Sequence, residues 1–375
     1  MKKTILTMIA SAAVAACTQN ETPQPAQPCD TQATAATAEM FDMMKKAAAH
    51  GVMLGHQDDL SYGVGWVDTG ERRSDVRDVC GDYPALFGWD LGHIELADST
   101  RNLDGVEFER MRDNIRFVHE QGGVNALSWH PRNPLTGNDA WDISSTEVVS
   151  SIIGSGELHD TYTAWLDRVA DFLLSLEDSD GEPIPVIFRP YHEMSGSWFW
   201  WGAKLCSTAD YKQLWRETID HLHSRGVHNI VVAYSMADYL DEQSFAERYP
   251  GDDYVDIVGF DIYQYGTVEE FLAQMKIKSE VAAAFARNHD KIWAVCECGY
   301  EGIPQDDWFT EVLSQYICGT DCSHALLWRN AHDREGHFYA SYPSHSSADD
   351  MRRLASRDDV LMLGDYNSLK SALRK

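Results

Sequence analysis

Residues 184–190 read IPVIFRP, a short apolar run followed at once by Tyr191, His192 and Glu193. Runs of this length, rich in β-branched residues, are typical of the buried strands of a parallel sheet. Seven similar runs occur along the chain, namely GVMLGH (51–56), ALFGWD (85–90), GVNALSWH (123–130), NIVVAYS (229–235), VDIVGFD (255–261), KIWAVCE (291–297) and HALLWRN (324–330). The sequence therefore predicts eight strands.

The stretches between the predicted strands have helical spacing. Residues 106–123 place apolar side chains near one helix face and end in two glycines, and residues 163–181 and 208–226 repeat the pattern. Strands that alternate with helices predict a parallel sheet. Eight such units in 375 residues favour a single (β/α)8 TIM barrel. An open doubly wound sheet would more often show fewer strands and a Gly-rich phosphate loop after the first strand, and this chain has no such loop.

Active sites of TIM barrels are built at the carboxyl ends of the strands. In this chain those ends carry mostly ionisable and aromatic residues: His56, Asp90, His93, Glu95, Trp129, His130, His192, Glu193, Ser235, Asp261, Tyr263, Glu297, Trp328 and Arg329. Packing alone does not explain so many of them on one rim. We therefore expect the active site there.

Two carboxyl groups on this rim suggest a specific chemistry. Glu193 follows the fourth predicted strand and Glu297 ends the seventh, so their side chains can approach each other across the barrel mouth. Such a pair can cleave a glycosidic bond, one carboxyl protonating the leaving oxygen while the other attacks the anomeric carbon. A separation of about 5–5.5 Å would mean retention of configuration. The aromatic residues of RPYHEMSGSWFWWG (189–202) would raise the pKa of Glu193 and bind sugar rings.

The composition agrees with a sugar-binding protein and argues against nucleic acid as a partner. The chain has 31 Lys and Arg against 59 Asp and Glu, a formal net charge of −28. Binding to a phosphate backbone depends on clustered basic residues, which this balance disfavours. The chain also contains 12 tryptophans and 16 tyrosines, whose flat rings stack well on sugar faces.

The first residues, MKKTILTMIASAAVAAC, have the form of an export signal. Their ending at Cys17 is similar to a bacterial lipobox, which predicts a lipoprotein signal peptide over 1–17 with Cys17 lipidated; a plain export signal is the alternative. Residues 18–38 are rich in Pro, Gln and Thr and are interpreted as a flexible tether. The catalytic domain then spans 39–375. We expect the protein to be exported and anchored by lipid to the outer membrane of a Gram-negative bacterium, on its outer or periplasmic face.

The remaining seven cysteines do not form the paired clusters that hold zinc, so no metal and no cofactor are expected. Cys296 and Cys298 flank Glu297 in a strand, so they are expected to point away from it, into the helix layer. A disulfide between Cys318 and Cys322 is left open for an exported protein.

The motifs at these positions resemble glycoside hydrolase family 26, whose known members are mostly β-mannanases. The resemblance rests on RPYHEMSGSWFWWG, on GFDIYQ (259–264) and on VCECGY (295–300), with support from GHQDDLSYGVGW (55–66) and SWHP (128–131). It covers most of the chain beyond residue 50. One departure is Ser195, where the commoner family pattern has Asn, and it puts the neighbouring sugar contacts in doubt more than the chemistry.

The resemblance implies a role for each matching residue. Glu193 would be the acid/base and Glu297 the nucleophile, with Tyr263 holding Glu297 ionised. The other implied contacts are His130 and His192 to sugar hydroxyls or to the carboxyls, Trp198 as the floor, Trp328 as the platform under the attacked sugar, and Trp141 as an outer wall. Phe199, Trp200 and Trp201 would divide between the cleft wall and the core. The expected partner is β-mannan polymer or oligosaccharide, and the expected assembly is a monomer.

Several alternatives stay open. Mixed-linkage glucan or xylan could be the substrate, and long loops such as 55–80 and 131–160 could close one end of the cleft and make the enzyme release mannobiose. A barrel metallohydrolase is disfavoured because His56 stands alone, without a His-x-His pair. A tethered glycan-binding lipoprotein would need the aromatic rings but not the second carboxyl.

Overall fold

The computed structural model describes residues 25–374. Eight parallel strands pair in chain order and the eighth pairs with the first, which closes the sheet and confirms the predicted (β/α)8 TIM barrel. The barrel strands are β1 (Val52–Gln57), β2 (Leu86–Asp90), β3 (Val124–Trp129), β4 (Val186–Pro190), β5 (Ile230–Met236), β6 (Ile257–Tyr263), β7 (Ile292–Gly299) and β8 (His324–Leu327). A short strand, Val360–Leu361, adds to β1, and Tyr62–Gly63 pairs with Trp66–Val67 in a hairpin.

Helices surround the barrel. The α-helices are α1 (Ala35–Ala48), α2 (Asp75–Cys80), α3 (Phe108–Glu120), α4 (Val148–Ile152), α5 (His159–Leu174), α6 (Thr208–Ser224), α7 (Glu242–Ala246), α8 (Val268–His289), α9 (Ser314–Ile317), α10 (Ala348–Ala355) and α11 (Leu363–Leu373). A 3-10 turn covers Asp252–Tyr254 and a π-helical turn covers Phe309–Leu313. The predicted helix over 163–181 ends earlier, at Leu174, and Gly181 (φ 83°) lies in a separate turn.

The alternation of side chains along the strands builds two apolar layers. Ile187, Val231 and Ile257 face the barrel interior, where the helix α1 packs against the same cluster and closes one end. Their neighbours Val186 and Val232 face the surrounding helices. The carboxyl ends of the strands are left to form the site.

The domain begins earlier than residue 39. The described part of the expected tether packs against the barrel: the backbone N–H of Cys29 donates 2.5 Å to Oδ1 of Asp256, and Asp30 is buried. Thr34 caps α1 by accepting from the N–H of Thr37. Buried polar partners therefore order residues whose composition is typical of a linker.

The predicted leader, 1–17, with Cys17, and the first part of the tether, 18–24, lie outside the described residues. Within 25–374, no helix combines the length and the apolar character that a membrane span needs.

A β-bulge in β7 changes the predicted orientation of one cysteine. Phe260 pairs with Val295 but Asp261 pairs with Glu297, so Cys296 is an extra residue in the ladder. Cys298 faces the helix layer as predicted, whereas Cys296 lies in the interior cluster, so the prediction for Cys296 was wrong. The bulge lets Cys296 and Glu297 both face inward, which strict alternation forbids.

All seven cysteines of the described chain are free thiols. Cys322 is buried and its Sγ lies 3.3 Å from the carbonyl oxygen of His324. The disulfide left open between Cys318 and Cys322 is therefore absent from the structure.

Candidate active site

A cavity of about 560 Å³ opens at the carboxyl ends of the barrel strands. Its wall contains every predicted catalytic and substrate-binding residue, namely His130, Trp141, His192, Glu193, Trp198, Tyr263, Glu297 and Trp328. The structure thus brings together residues that are spread over half of the chain. Glu193 and Glu297 face one common space.

Glu297 is held by two hydrogen-bond donors. Its Oε1 pairs with the guanidinium of Arg189, and its Oε2 accepts a 2.7 Å hydrogen bond from the hydroxyl of Tyr263. Burial and the nearby Glu297 charge raise the pKa of Tyr263 well above its usual value, so this hydroxyl stays a donor. Each oxygen of Glu297 therefore accepts a hydrogen bond from a fixed donor, which orients its carboxyl group.

Arg189 joins Glu297 to a second carboxyl. Its Nη1 donates 2.9 Å to Oδ2 of Asp261 and 3.0 Å to Oγ of Ser235. Burial raises the pKa of Asp261, while the positive charge of Arg189 opposes that rise. The two carboxyls share the single positive charge of Arg189 in a buried network, and its hydrogen bonds keep Glu297 in place.

Glu193 has different surroundings. Burial raises its pKa well above the usual value, and the charges of Asp261 and Glu297 add to the rise. The indole of Trp198 donates 2.6 Å to its Oε2. Because burial and the neighbouring carboxyls outweigh the opposing charge of Arg189 and the hydrogen bond from Trp198, Glu193 favours the protonated form.

The backbone around Glu193 is strained. Tyr191 and Glu193 have φ of 45° and 55°, a left-handed conformation that costs a non-glycine residue about 1–2 kcal/mol. The N–H of Glu193 donates 2.9 Å to the carbonyl oxygen of Ser235, which helps to hold this conformation. The bend turns the side chain that follows strand β4 into the cleft.

Two histidines connect the Glu297 side of the cleft to a buried aspartate. Nδ1 of His130 lies 2.6 Å from Oδ2 of Asp90, and Nε2 of His130 lies 3.0 Å from Nε2 of His192. Burial alone would lower the pKa of His130, but the Asp90 carboxylate outweighs it and raises the pKa. Burial, Arg189 and His130 lower the pKa of His192. A charged His130 can therefore donate to both Asp90 and a neutral His192.

Aromatic rings form the outer wall. Trp141 is 47% exposed and stacks on the His130 ring at a centroid distance of 5.3 Å and 15°. Trp198 is 39% exposed, and Phe199 lines the cavity. Trp200 and Trp201 are fully buried, so the predicted division of this motif between the cleft wall and the core is confirmed.

A profile of glycosyl hydrolase family 26 matches residues 29–298, which include both glutamates. The chain belongs to glycosyl hydrolase family 26. Among solved structures, this family 26 chain is similar to a β-mannanase of the family from Bacteroides ovatus, with a TM-score of 0.88 and 43% identity over 90% of this chain and 97% of that one. It is also similar to a family 26 protein from Muricauda, with a TM-score of 0.82 and 29% identity over 90% of this chain and 94% of that one.

Curated relatives carry the name mannan endo-1,4-β-mannosidase. One, from Bifidobacterium adolescentis, is 29% identical over 92% of this chain, which spans only 36% of that relative's length. Another, from Bacillus subtilis, is 28% identical over 69% of this chain and 71% of the relative.

Several cleft residues of this family 26 chain were missed at the sequence level. Arg189 lies two residues after Ile187 on β4, so both side chains point into the barrel. A charged residue at an inward position of a buried strand could have indicated a role in the site. Gln274 and Lys278 reach the cavity from helix α8, and nothing in their spacing indicates this. Lys278 is buried, and its Nζ contacts the carbonyl oxygen of Ala237.

Some strand-end residues do not reach the cleft. His56 is buried and its Nδ1 lies 2.6 Å from Oδ1 of Asp59. Glu95 accepts from the indole of Trp129 at 3.2 Å and from the N–H of Arg132 at 2.8 Å. Both residues brace the barrel.

Ser195, the departure from the commoner family motif, has a local structural role. Its Oγ accepts hydrogen bonds from the N–H groups of Ala237 at 3.1 Å and Asp238 at 2.8 Å. Ala237 and Asp238 line the cleft. Ser195 therefore positions the loop after β5 without entering the cavity wall.

His192, Asp261 and Glu297 lie close enough together to resemble a cation site. The guanidinium of Arg189 already bonds both of these carboxylates. Arg189 therefore supplies the positive charge that a bound cation would otherwise provide to these two carboxylates.

Proposed function

We propose that this chain hydrolyses β-1,4-mannosidic linkages in mannan, glucomannan or galactomannan, with retention of configuration. The observation that carries the proposal is the contrast between two carboxyls in one cleft. Arg189 and Tyr263 hydrogen-bond Glu297 as a carboxylate, whereas the pKa of Glu193 is raised. Two carboxyls whose environments separate their protonation states are what a glycosidase requires.

In the first step, Glu193 donates its proton to the glycosidic oxygen while Glu297 attacks the anomeric carbon, and a covalent glycosyl-enzyme forms as the aglycone leaves. In the second step, Glu193, now ionised, removes a proton from water as the water oxygen attacks the anomeric carbon, and the carboxylate of Glu297 leaves. The Trp198 indole engages Oε2 of Glu193. We therefore assign Oε1 of Glu193 as the oxygen that faces the leaving group.

Mannan as the substrate is supported by family membership and by the names of relatives from two bacteria, each a mannan endo-1,4-β-mannosidase. The aromatic wall of Trp141, Trp198 and Trp328 offers faces on which sugar rings can stack. A second cavity of about 530 Å³ is lined in part by Arg329, the residue that follows Trp328 of the cleft wall. Internal cleavage of the polymer is supported by the names of the same relatives.

Replacing the proposed nucleophile tests the enzyme class. Glu297→Ala should lower kcat/KM on mannohexaose by about 10⁴-fold or more, since the covalent step is lost. Binding of mannohexaose, measured by calorimetry, should persist. Glu280→Ala, on the exposed face of α8, is the matched control. Full turnover in Glu297→Ala would reject Glu297 as the nucleophile, and a wild type without turnover that still binds mannohexaose would return the protein to the glycan-binding alternative.

The stereochemistry and the cleavage mode are tested separately. Early anomeric NMR signals should show the β-product, as retention requires. Time courses on mannohexaose and galactomannan should give a mixed ladder of products. Mannobiose as the only product would replace internal cleavage by mannobiose release from chain ends, and faster hydrolysis of xylan or mixed-linkage glucan would reject mannan.

We further propose that the protein is an exported monomer, lipidated at Cys17 and held at the outer membrane of a Gram-negative bacterium. The support is the sequence of residues 1–17. Cys17→Ser should release the protein from the membrane fraction. Protease treatment of whole cells identifies the membrane face, and light scattering of the released protein gives its mass. Unchanged membrane retention of Cys17→Ser would reject the anchor.

A further inference from the structure

Two histidines and an aspartate meet at the end of the barrel opposite the cleft. Asp30 belongs to the segment before helix α1, His223 to the last turn of α6, and His228 to the loop that leads into β5. One side-chain atom of each residue lies within 4.8 Å of the others. These residues play no part in the proposed hydrolysis, so their convergence needs another explanation.

The three side chains point at a common space. Oδ2 of Asp30 lies 2.8 Å from Nδ1 of His228 and 3.7 Å from Nε2 of His223. The two imidazole rings are nearly parallel, with centroids 5.6 Å apart and 26° between their planes. Ligand atoms around a tetrahedral ion at about 2.0–2.1 Å are separated by about 3.3 Å. Small side-chain movements would bring these atoms to that spacing.

One of the three ligand atoms has no other use. Nε2 of His223 is shielded from solvent and has no hydrogen-bond partner within residues 25–374. A buried polar atom without a partner is costly and calls for an explanation. The hydrogen bond between Asp30 and His228 satisfies the polar atoms of those two residues, but it gives Nε2 of His223 no partner.

Backbone contacts hold the site from behind. Oδ1 of Asp30 accepts 2.8 Å from the N–H of Gln32, which fixes the carboxylate. The carbonyl oxygen of His228 accepts from the N–H of Thr34 at 3.0 Å and from Oγ1 of Thr37 at 3.3 Å. The contact from Gln32 orients a proposed ligand group directly, as outer hydrogen bonds do in protein metal sites, and the other two fix the main chain of His228.

We propose that Asp30, His223 and His228 bind one divalent transition-metal ion of the Zn²⁺ class. Two imidazole nitrogens and one carboxylate oxygen suit zinc and its neighbours, whereas Ca²⁺ and Mg²⁺ prefer oxygen ligands alone. Water would complete the coordination. The ion would fasten the segment that enters the domain to a loop 198 residues away. It would therefore stabilise the docked N-terminal segment.

The test uses the full chain, purified without a polyhistidine tag and treated with a chelator. Calorimetric titration with ZnSO₄ should give one ion per chain, and metal analysis after desalting should agree. His223→Gln should weaken the binding at least ten-fold, because it removes a ligand that has no protein partner. His221→Gln is the matched control: it lies on the same helix, its side chain is 20% exposed against 22% for His223, and its partner is Asp167.

Zinc should also raise the Tm of the wild type and of His221→Gln by about 2–5 °C at a concentration near 100 Kd, and leave that of His223→Gln unchanged. Amide hydrogen exchange of residues 29–34 should slow on zinc addition in the same two proteins. If His223→Gln has lost its fold, as judged by circular dichroism, Asp30→Asn takes its place. The proposal is overturned if the wild type takes up no zinc, or if His223→Gln binds zinc as tightly as the wild type does. The second result would mean that the ion binds elsewhere, for example beside Glu297.

Discussion

The indole nitrogen of Trp198 donates a 2.6 Å hydrogen bond to Oε2 of Glu193. This contact opposes the burial and the neighbouring charges that raise the pKa of Glu193. Besides the sugar stacking proposed for it, Trp198 therefore adjusts the acidity of Glu193, the proposed proton donor. The balance between these effects sets the pH range in which Glu193 is protonated.

Trp198→Phe should move the alkaline limb of the kcat/KM profile to higher pH. The hydrogen bond stabilises the ionised form, so its loss raises the pKa of Glu193 further, and the protonated acid survives to higher pH. We also expect about a ten-fold lower kcat/KM at the optimum, since Oε2 is no longer oriented. A pH series with mannohexaose measures both effects. An alkaline limb that stays in place or moves to lower pH would contradict the role given to Trp198.

Tyr263→Phe removes one of the two donors to Glu297 and little else. A hydrogen bond to a charged group contributes about 1.5–3 kcal/mol, so kcat should fall about 10- to 150-fold. The Tm should change little, because the aromatic ring remains. Tyr316→Phe, on helix α9, makes the same chemical change away from the cleft and should leave kcat unaltered. Equal kcat values in the two variants would show that the 2.7 Å contact is not used.

Arg189→Met should destabilise the protein because it leaves Asp261 and Glu297 buried without a compensating charge. Removing one partner of a buried ion pair costs about 3–5 kcal/mol. Adding Asp261→Asn should recover part of this loss, since it removes one of the uncompensated charges, while activity stays low because Glu297 still lacks a donor. Denaturant unfolding of the single and double variants measures the coupling. Strictly additive free energies would mean that the two side chains do not act as a pair.

Asp90→Asn should lower the free energy of unfolding most between about pH 4 and 6.5. The pKa of His130 is raised above 6.5, so its stabilising contribution is full below that value and is lost as the pH rises through the folded-state pKa. The pKa of Asp90 is lowered below 3.8, so its contribution is lost as the pH falls through that lower value. Unfolding in denaturant from pH 3 to pH 9 measures the difference. Ser128→Ala removes a hydroxyl that also bonds Asp90 and should give a nearly constant loss from pH 4 to 8.

The local hydrophobic pattern of the sequence was sufficient to predict the barrel and the residues at the carboxyl ends of its strands. The runs at 184–190 and 255–261 are apolar on both faces because both faces are buried, and helical spacing separates them from the next strands. Once the strands are parallel, their carboxyl ends must lie on one side, so Glu193 and Glu297 had to share a rim. Periodicity carries this information because it depends only on neighbouring residues.

The exceptions to the pattern come from contacts between distant residues. The bulge at Cys296 depends on how β7 pairs with β6 and breaks the alternation that predicted its orientation. Lys278 enters the cleft from a helix because of how α8 packs, not because of its own spacing. The order of residues 25–34 depends on Asp256 and His228, which lie about 200 positions later in the chain.

By itself the sequence determined the order of strands and helices, the family motifs and most of the strand-end side chains that surround the cleft, since these follow from short-range periodicity and residue type. Only the tertiary structure decided the protonation environment of each carboxyl, the ionic link from Arg189 to Glu297, and the meeting of Asp30 with His223 and His228. Those properties depend on burial and on distances between residues far apart in the chain, and the barrel sets both only when it closes.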